Sequence, residues 1–278
     1  MIRIFLLVLA ISLPLVAHPQ EPKEPKDRSI TSDDFNKSRP QPKRRTGHVK
    51  RPRTYRLASP PLAKPLDTSS PNSLKVGVTL WKVQRESDGR SIKEIATRVE
   101  ADTQFQKNDL VRLSIESPRT GYLYVVDRDW FTDGHPGAET NLIFPVHGED
   151  NRLEVGKLID IPADNRAPFK ANPKINQAGE MLTIIITSAP LSLPLSKDYL
   201  PVSSTQLAEW ENKWSGMTER FEMINGAGQT RTIEEQQAAS PTGIRQLTRD
   251  DPAPQSIYLL KPRSSDGLLF NLLLSYVR

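Results

Sequence analysis

Short apolar runs with a period of two constrain this chain more than any other feature. Leu74, Val76, Val78 and Leu80 alternate with Lys75, Gly77 and Thr79, so a strand through them has one apolar face. Seven further runs follow: Leu110 to Ile115, Tyr122 to Val126, Leu142 to Phe144, Leu153 to Ile161, Met181 to Thr187, Ser256 to Leu260 and Leu268 to Val277. They are rich in aromatic and β-branched residues and bounded by Gly, Pro, Asn or Asp. In the last run Phe270, Leu272, Leu274 and Tyr276 share one face, and Leu269 and Leu273 add apolar surface to the other. Such a strand must be central and covered, because an edge of that composition aggregates. The pattern predicts a mostly β fold, an antiparallel β-sandwich that is immunoglobulin-like in general architecture.

One segment departs from this period. Ser203-Ser-Thr-Gln206 fits a capping box, and Leu207, Trp210, Trp214, Met217 and Phe221 follow at spacings of three and four. This predicts an amphipathic helical insertion over 203–226, stopped by Gly226. Two readings of its stripe stand: a cover for an open face of the sandwich, or an exposed face for a partner or a membrane surface. A second, short helix is expected from Thr232 to Ala239.

The amino-terminal part reads differently. Arg3 precedes a run of ten from Ile4 to Leu13, interrupted only by Ser12, and Pro14 and Ala17 follow. That is the anatomy of a secretory signal peptide over 1–17, shorter than the about 20 residues a membrane span needs. Residues 18–73 hold ten prolines and a net charge of +7, whereas 74–278 carry −3. A disordered, Pro-rich basic tail is expected over 18–73, ahead of a sandwich domain at 74–278. Lys43, Arg44, Arg45, Lys50, Arg51, Arg53 and Arg56 form its densest part, with no acid among them. Behind an export signal, such an arm reads first as a solvated tether, next as one that also adheres to anionic envelope polymers or lipid headgroups, and last as a nucleic-acid arm. The chain has no cysteine, which excludes lipid attachment through a thiol, disulfides, thiol catalysis and Cys-bearing zinc sites.

Several of the apolar runs also form a spaced pattern: Trp81, then Phe105, Asp109, Val111, Arg112 and Leu113, then Gly121, Tyr122, Leu123 and Tyr124, then Phe144 and Pro145. This resembles the bacterial family known as domain of unknown function 4384, over roughly residues 74–190. The resemblance implies a fold and an appended, accessory role, since relatives are often fused to caspase-like peptidases or protein kinases. Neither chemistry can follow here, for want of a cysteine and of kinase motifs.

No catalytic constellation, metal-ligand spacing or cofactor motif stands out. The folded part has two histidines, His135 and His147, neither near a nucleophile elbow or a zinc-binding helix. The best site candidate follows the Tyr-Leu-Tyr run: Asp127, Asp129 and Asp133 with Trp130 and Phe131 between them, and His135 and Glu139 just beyond. A solvated acidic turn, a divalent-ion loop and an aromatic recognition loop all fit. The sequence thus points to an exported, non-enzymatic binding or scaffold module with an envelope protein or anionic polymer as partner. The competing expectation is a hydrolase, carboxylate-based or divalent-ion-dependent, using the 127–139 acidic loop.

Overall fold

A computed structural model describes residues 28–42, 52–60, 62, 64–67, 72–87, 89, 92–240 and 245–277. The signal segment 1–17 and the basic residues Lys43, Arg44, Arg45, Lys50 and Arg51 lie outside them. In chain order the elements are β1 (Ser29–Thr31), α1 (Ser32–Asn36), β2 (Thr54–Leu57), β3 (Leu74–Ser87), β4 (Ile92–Val99), β5 (Gln104–Phe105) and β6 (Leu110–Glu116). Then come β7 (Gly121–Phe131), β8 (Pro136–Phe144), β9 (Arg152–Leu153), β10 (Ile159–Ile161), β11 (Phe169–Lys170), β12 (Gln177–Thr187) and β13 (Leu200–Pro201). The last are α2 (Ser204–Trp214), β14 (Met217–Met223), α3 (Ile233–Ala239), β15 (Ser256–Lys261) and β16 (Gly267–Tyr276). Among the described residues, no helix is long and apolar enough to cross a membrane.

These strands build two sheets. The first runs β1-β2-β14-β15-β3-β6-β10, with β4 beside β3 and β11 beside β6. The second runs β13-β8-β7-β12-β16-β5, with β9 beside β7. Strand β3 is long enough to pair β15 along Leu74–Val78 and β4 along Leu80–Ser87, with β6 on its other edge. All named pairings are antiparallel except that of β16 with β5. The sheets pack face to face. Val76, Val78 and Leu80 of β3 and Leu113 and Ile115 of β6 meet Leu123, Val125, Leu182, Ile184, Phe270 and Leu272 of the second sheet. This is the period-two pattern made solid, but the expectation of a central last strand is corrected. Strand β16 pairs along its length with β12, and on its other side only at Ser275 and Tyr276, with the short β5. Its two apolar faces are covered by the first sheet and by α2, and not by a central place in the sheet.

The outer face of the second sheet is closed by α2. Leu207, Trp210 and Trp214 pack on Tyr124, Val126, Ile185 and Leu269, and the two indoles stack at 6.4 Å between centroids. Ser203 caps the helix through its Oγ, which accepts from the Gln206 amide at 3.1 Å. The helix ends at Trp214, however, and the expected insertion over 203–226 is corrected there. Met217–Met223 is a strand between β2 and β15. A spacing of four satisfies period two as well as a helical turn, so Met217 and Phe221 fitted either. The run Leu153 to Ile161 is likewise two strands, not one. Leu153 pairs into the second sheet and Ile159–Ile161 into the first, and the chain crosses over at Gly156, whose φ of +80° suits the turn.

The largest correction concerns the tail. Described residues between 28 and 67 belong to the fold: β1 and β2 extend the first sheet, and Ile30, Phe35, Tyr55 and Leu66 pack on Phe221, Met223, Ile257 and Leu259. Phe35 comes so close to Gly77 that a Cβ there would meet its ring at 2.8 Å. The sandwich therefore does not begin at residue 74. Proline content concealed this, because the buried residues here are separated by polar ones and contact strands far along the sequence.

Beside this apolar patch the same outer face carries buried charge. Arg39 donates to both carboxylate oxygens of Glu116, at 2.7 and 2.6 Å, and to the carbonyls of Thr248, Asp251 and Pro252. Trp81 Nε1 donates to Ser114 Oγ at 2.7 Å, which donates to Asp160 Oδ1 at 2.6 Å. Arg231 reaches Asp160 at 2.7 Å and Asp164 at 3.1 Å, and Arg98 pairs with Glu235. The guanidinium groups of Arg98 and Arg231 lie 5.3 and 5.8 Å from the Trp81 ring centroid.

Candidate functional site

The acidic stretch singled out in the sequence is the end of a β-hairpin, not a loop. Leu123 and Val125 of β7 face the core, and period two carries Asp127 and Asp129 onto the same face beyond it. Asp127 lies opposite Leu182, and Asp129 opposite Glu180 on β12. Three carboxyls thus share one face of two neighbouring strands, an arrangement in which like charges repel.

Each has a different set of partners. Asp129 accepts from Gln177 Nε2 at 2.8 Å and from Lys174 Nζ at 2.6 Å. Glu180 accepts from the Tyr276 hydroxyl. Asp127 Oδ1 is buried and has no hydrogen-bond partner among the described residues. Burial, followed by the nearby Glu180 and Asp129, pushes the Asp127 carboxyl up to about 7. Burial also raises Glu180, against the pull of the Tyr276 hydroxyl. Burial first and then Glu180 push the Tyr276 phenol above its ordinary range. Lys174 is raised, chiefly by its hydrogen bond to Asp129.

The remaining sequence candidates divide. Asp133 is exposed in the turn, where its Oδ1 accepts from the His135 amide at 3.0 Å and holds the hairpin tip. His135 and Glu139 are exposed as well. Among the described residues, no group of three or more carboxylates or imidazoles is arranged to hold a metal ion. Trp130 and Phe131 do come together, at a cavity of about 190 Å³ whose walls also include Gln104, Thr132, Ser275 and Tyr276. Glu180, Gln177, Lys174 and Tyr276 were missed in the sequence. Extending the apolar parity of Ile186, Ile184 and Leu182 by one step reaches Glu180, and that of Phe270, Leu272 and Leu274 reaches Tyr276.

Two residues of the basic arm are described, and neither is free. Arg53 approaches Met223 Sδ at 3.5 Å and the Asn225 carbonyl at 3.4 Å, and Arg56 of β2 lies 3.5 Å from Glu100. Both are exposed: Arg56 sits on β2, between β1 and β14 in the first sheet, and Arg53 just precedes that strand.

The residues that carried the family pattern have structural roles. Trp81 anchors the buried network, Arg112 donates to the Pro162 carbonyl at 2.7 Å, and Asp109 caps a turn by accepting from the Gln106 amide at 2.9 Å. Phe105 is fully buried, and a Cβ on Gly121 would meet the Thr187 carbonyl oxygen at 2.7 Å. Compared with known proteins, the chain matches no family model, no curated protein and no solved structure.

Proposed function

We propose that this chain is an exported, non-enzymatic binding module of the bacterial cell envelope, related to the domain of unknown function 4384 family. The observation that carries the binding role is the cavity at the β7–β8 end, where the part-exposed Trp130 and Phe131 line a recess framed by paired strands. Recesses with aromatic walls and a few polar groups on rigid elements suit ligand capture. Export rests on the apolar run Ile4 to Leu13 behind Arg3, and the family relation on the spaced motif from Trp81 to Pro145. Lys43, Arg44, Arg45, Lys50 and Arg51 would add a salt-sensitive attraction to anionic polymer or lipid, each worth about 1 kcal/mol at best.

The test is sedimentation with peptidoglycan, lipopolysaccharide and anionic vesicles across a salt series. Intact chain is compared with a variant carrying glutamine at those five positions. The expected result is retention at low salt that weakens steeply as salt rises, with a smaller salt slope in the variant. Failure of the intact chain to bind any of the three fractions at low salt would overturn the envelope reading. Truncation through residue 73 is unsuitable, because it removes β1, α1 and β2.

A second reading has one observation in its favour. Asp127 holds a proton near neutrality while Asp129, two residues away, is ion-paired to Lys174, and carboxyls with divergent environments serve acid–base hydrolysis. Turnover in a glycan and phosphoester screen that vanishes in Asp127→Asn would favour this reading over the first.

A further inference from the structure

The walls of the hairpin cavity are specific about charge. Among the described residues lining it there is no Lys, Arg, Asp, Glu or His. The side chains of Gln104, Thr132 and Ser275 have no hydrogen-bond partner there, so an amide and two hydroxyls are available to a ligand. Tyr276 is buried in the core with its hydroxyl committed to Glu180, so it backs the recess and offers a ligand little surface. Trp130 and Phe131, both part-exposed, supply the aromatic side chains of the lining. The volume of about 190 Å³ is below the range of about 300–1,000 Å³ typical of drug-sized ligands, so it takes one ring and not a chain of them.

Resting on the binding reading above, we infer that this recess is a subsite for a single neutral sugar ring, the kind of unit an envelope glycan repeats. A pyranose has the matching surface: C–H faces that pack on aromatic rings and a rim of hydroxyls that exchange hydrogen bonds with an amide and with alcohols. An anionic or cationic ligand would find no counter-charge in the lining, and a wholly apolar one would leave Gln104, Thr132 and Ser275 unmatched. One ring in so small a site binds weakly, with a Kd on the order of 1 mM by the usual affinity per non-hydrogen atom. Useful retention on a polymer then comes from many rings or from the basic arm acting alongside.

The experiment is titration of the intact chain with glucose, N-acetylglucosamine, glucuronate and glucosamine. Amide chemical shifts and indole fluorescence are followed together. Saturable shifts confined to residues near 104, 130–134 and 273–276 are expected for one or both neutral sugars, and at least tenfold weaker effects for the charged ones. Trp130→Ala should weaken neutral-sugar binding tenfold or more. Thr132→Val, at an exposed turn position, should weaken it several-fold with the spectrum of the folded chain retained. No saturable shift with either neutral sugar well above millimolar concentration overturns the proposal. So does binding that survives both substitutions, or that maps elsewhere. The envelope reading is judged separately: sedimentation with peptidoglycan that persists without any sugar response leaves it standing while the subsite falls. A sugar response without sedimentation does the reverse.

Discussion

On the outer face of the first sheet, Glu116, Asp160 and Glu235 each lie against a guanidinium; at the hairpin end of the second sheet, of Asp127, Asp129 and Glu180 only Asp129 is ion-paired, to Lys174. Both groups are largely removed from water, so the difference is one of partners. In the first, buried charge binds segments that are distant in sequence, since Arg39 ties the amino-terminal helix to β6 and to the 248–252 turn. In the second, strand pairing brings like groups together, and protonation of one of them relieves the repulsion. Pairing with guanidinium groups marks architecture at these three carboxylates, and the cluster with one cation for three acids lies beside the recess.

The largest expected effect breaks the paired side. Glu116→Ala leaves the Arg39 guanidinium buried without its carboxylate, which should cost about 3–5 kcal/mol of stability, read as a lower urea midpoint. A loss under about 1 kcal/mol would show that the pairing is not what closes this face. A smaller effect of opposite sign sharpens the unpaired side. The folded-state carboxyl of Asp127 is raised to about 7 from an ordinary 3.8, so the folded chain keeps a proton that the unfolded chain has released. The contribution of this group is therefore full below about pH 4, falls as pH rises toward 7 and is level above. Asp127→Asn should flatten that fall and raise stability at neutral pH by about 1–3 kcal/mol, less than the full shift because the residue stays partly in contact with solvent. Parallel curves of midpoint against pH for the two forms would refute the assignment. The smallest effect tests the single cation: Lys174 is 60% exposed at its side chain, so Lys174→Ala should cost about 1 kcal/mol or less. That cost should shrink further in high salt.

The core strands were legible in the sequence because burial on one face of a pleat writes itself as alternation. Leu182, Ile184 and Ile186 needed nothing else. β4 escaped because Lys93, Thr97 and Arg98 give it a polar signature: Arg98 is buried by pairing with Glu235, a contact 137 residues away. The amino-terminal helix was hidden for the same reason, its Phe35 and the Arg39 that follows it acquiring partners only from the folded sheet. At the site, Asp127, Asp129, Trp130 and Phe131 were visible as neighbours in sequence but read as a loop, because their polar residues hide the continuation of β7 to Phe131. Their partners Glu180 and Tyr276 come from β12 and β16, and only register brings them alongside. Local pattern reports which face a residue occupies; it does not report who stands opposite.

Strand order has a temporal side. Synthesis proceeds from the amino end, yet β14 and β15 stand between β2 and β3, and β16, the final element, stands between β12 and β5. Until residues past 256 exist, β2 cannot be joined to β3, and β12 presents an open edge. The hydroxyl of Tyr55 waits for the carbonyl of Pro254, 199 positions later. Contacts so far apart make folding slow, on the order of milliseconds to seconds even for small domains dominated by them. A nascent chain of this kind spends its whole elongation as an unfinished object with exposed strand edges, vulnerable to pairing with its neighbours. A ribosome that stops short of Gly267 therefore releases a chain whose β12 lacks its partner β16.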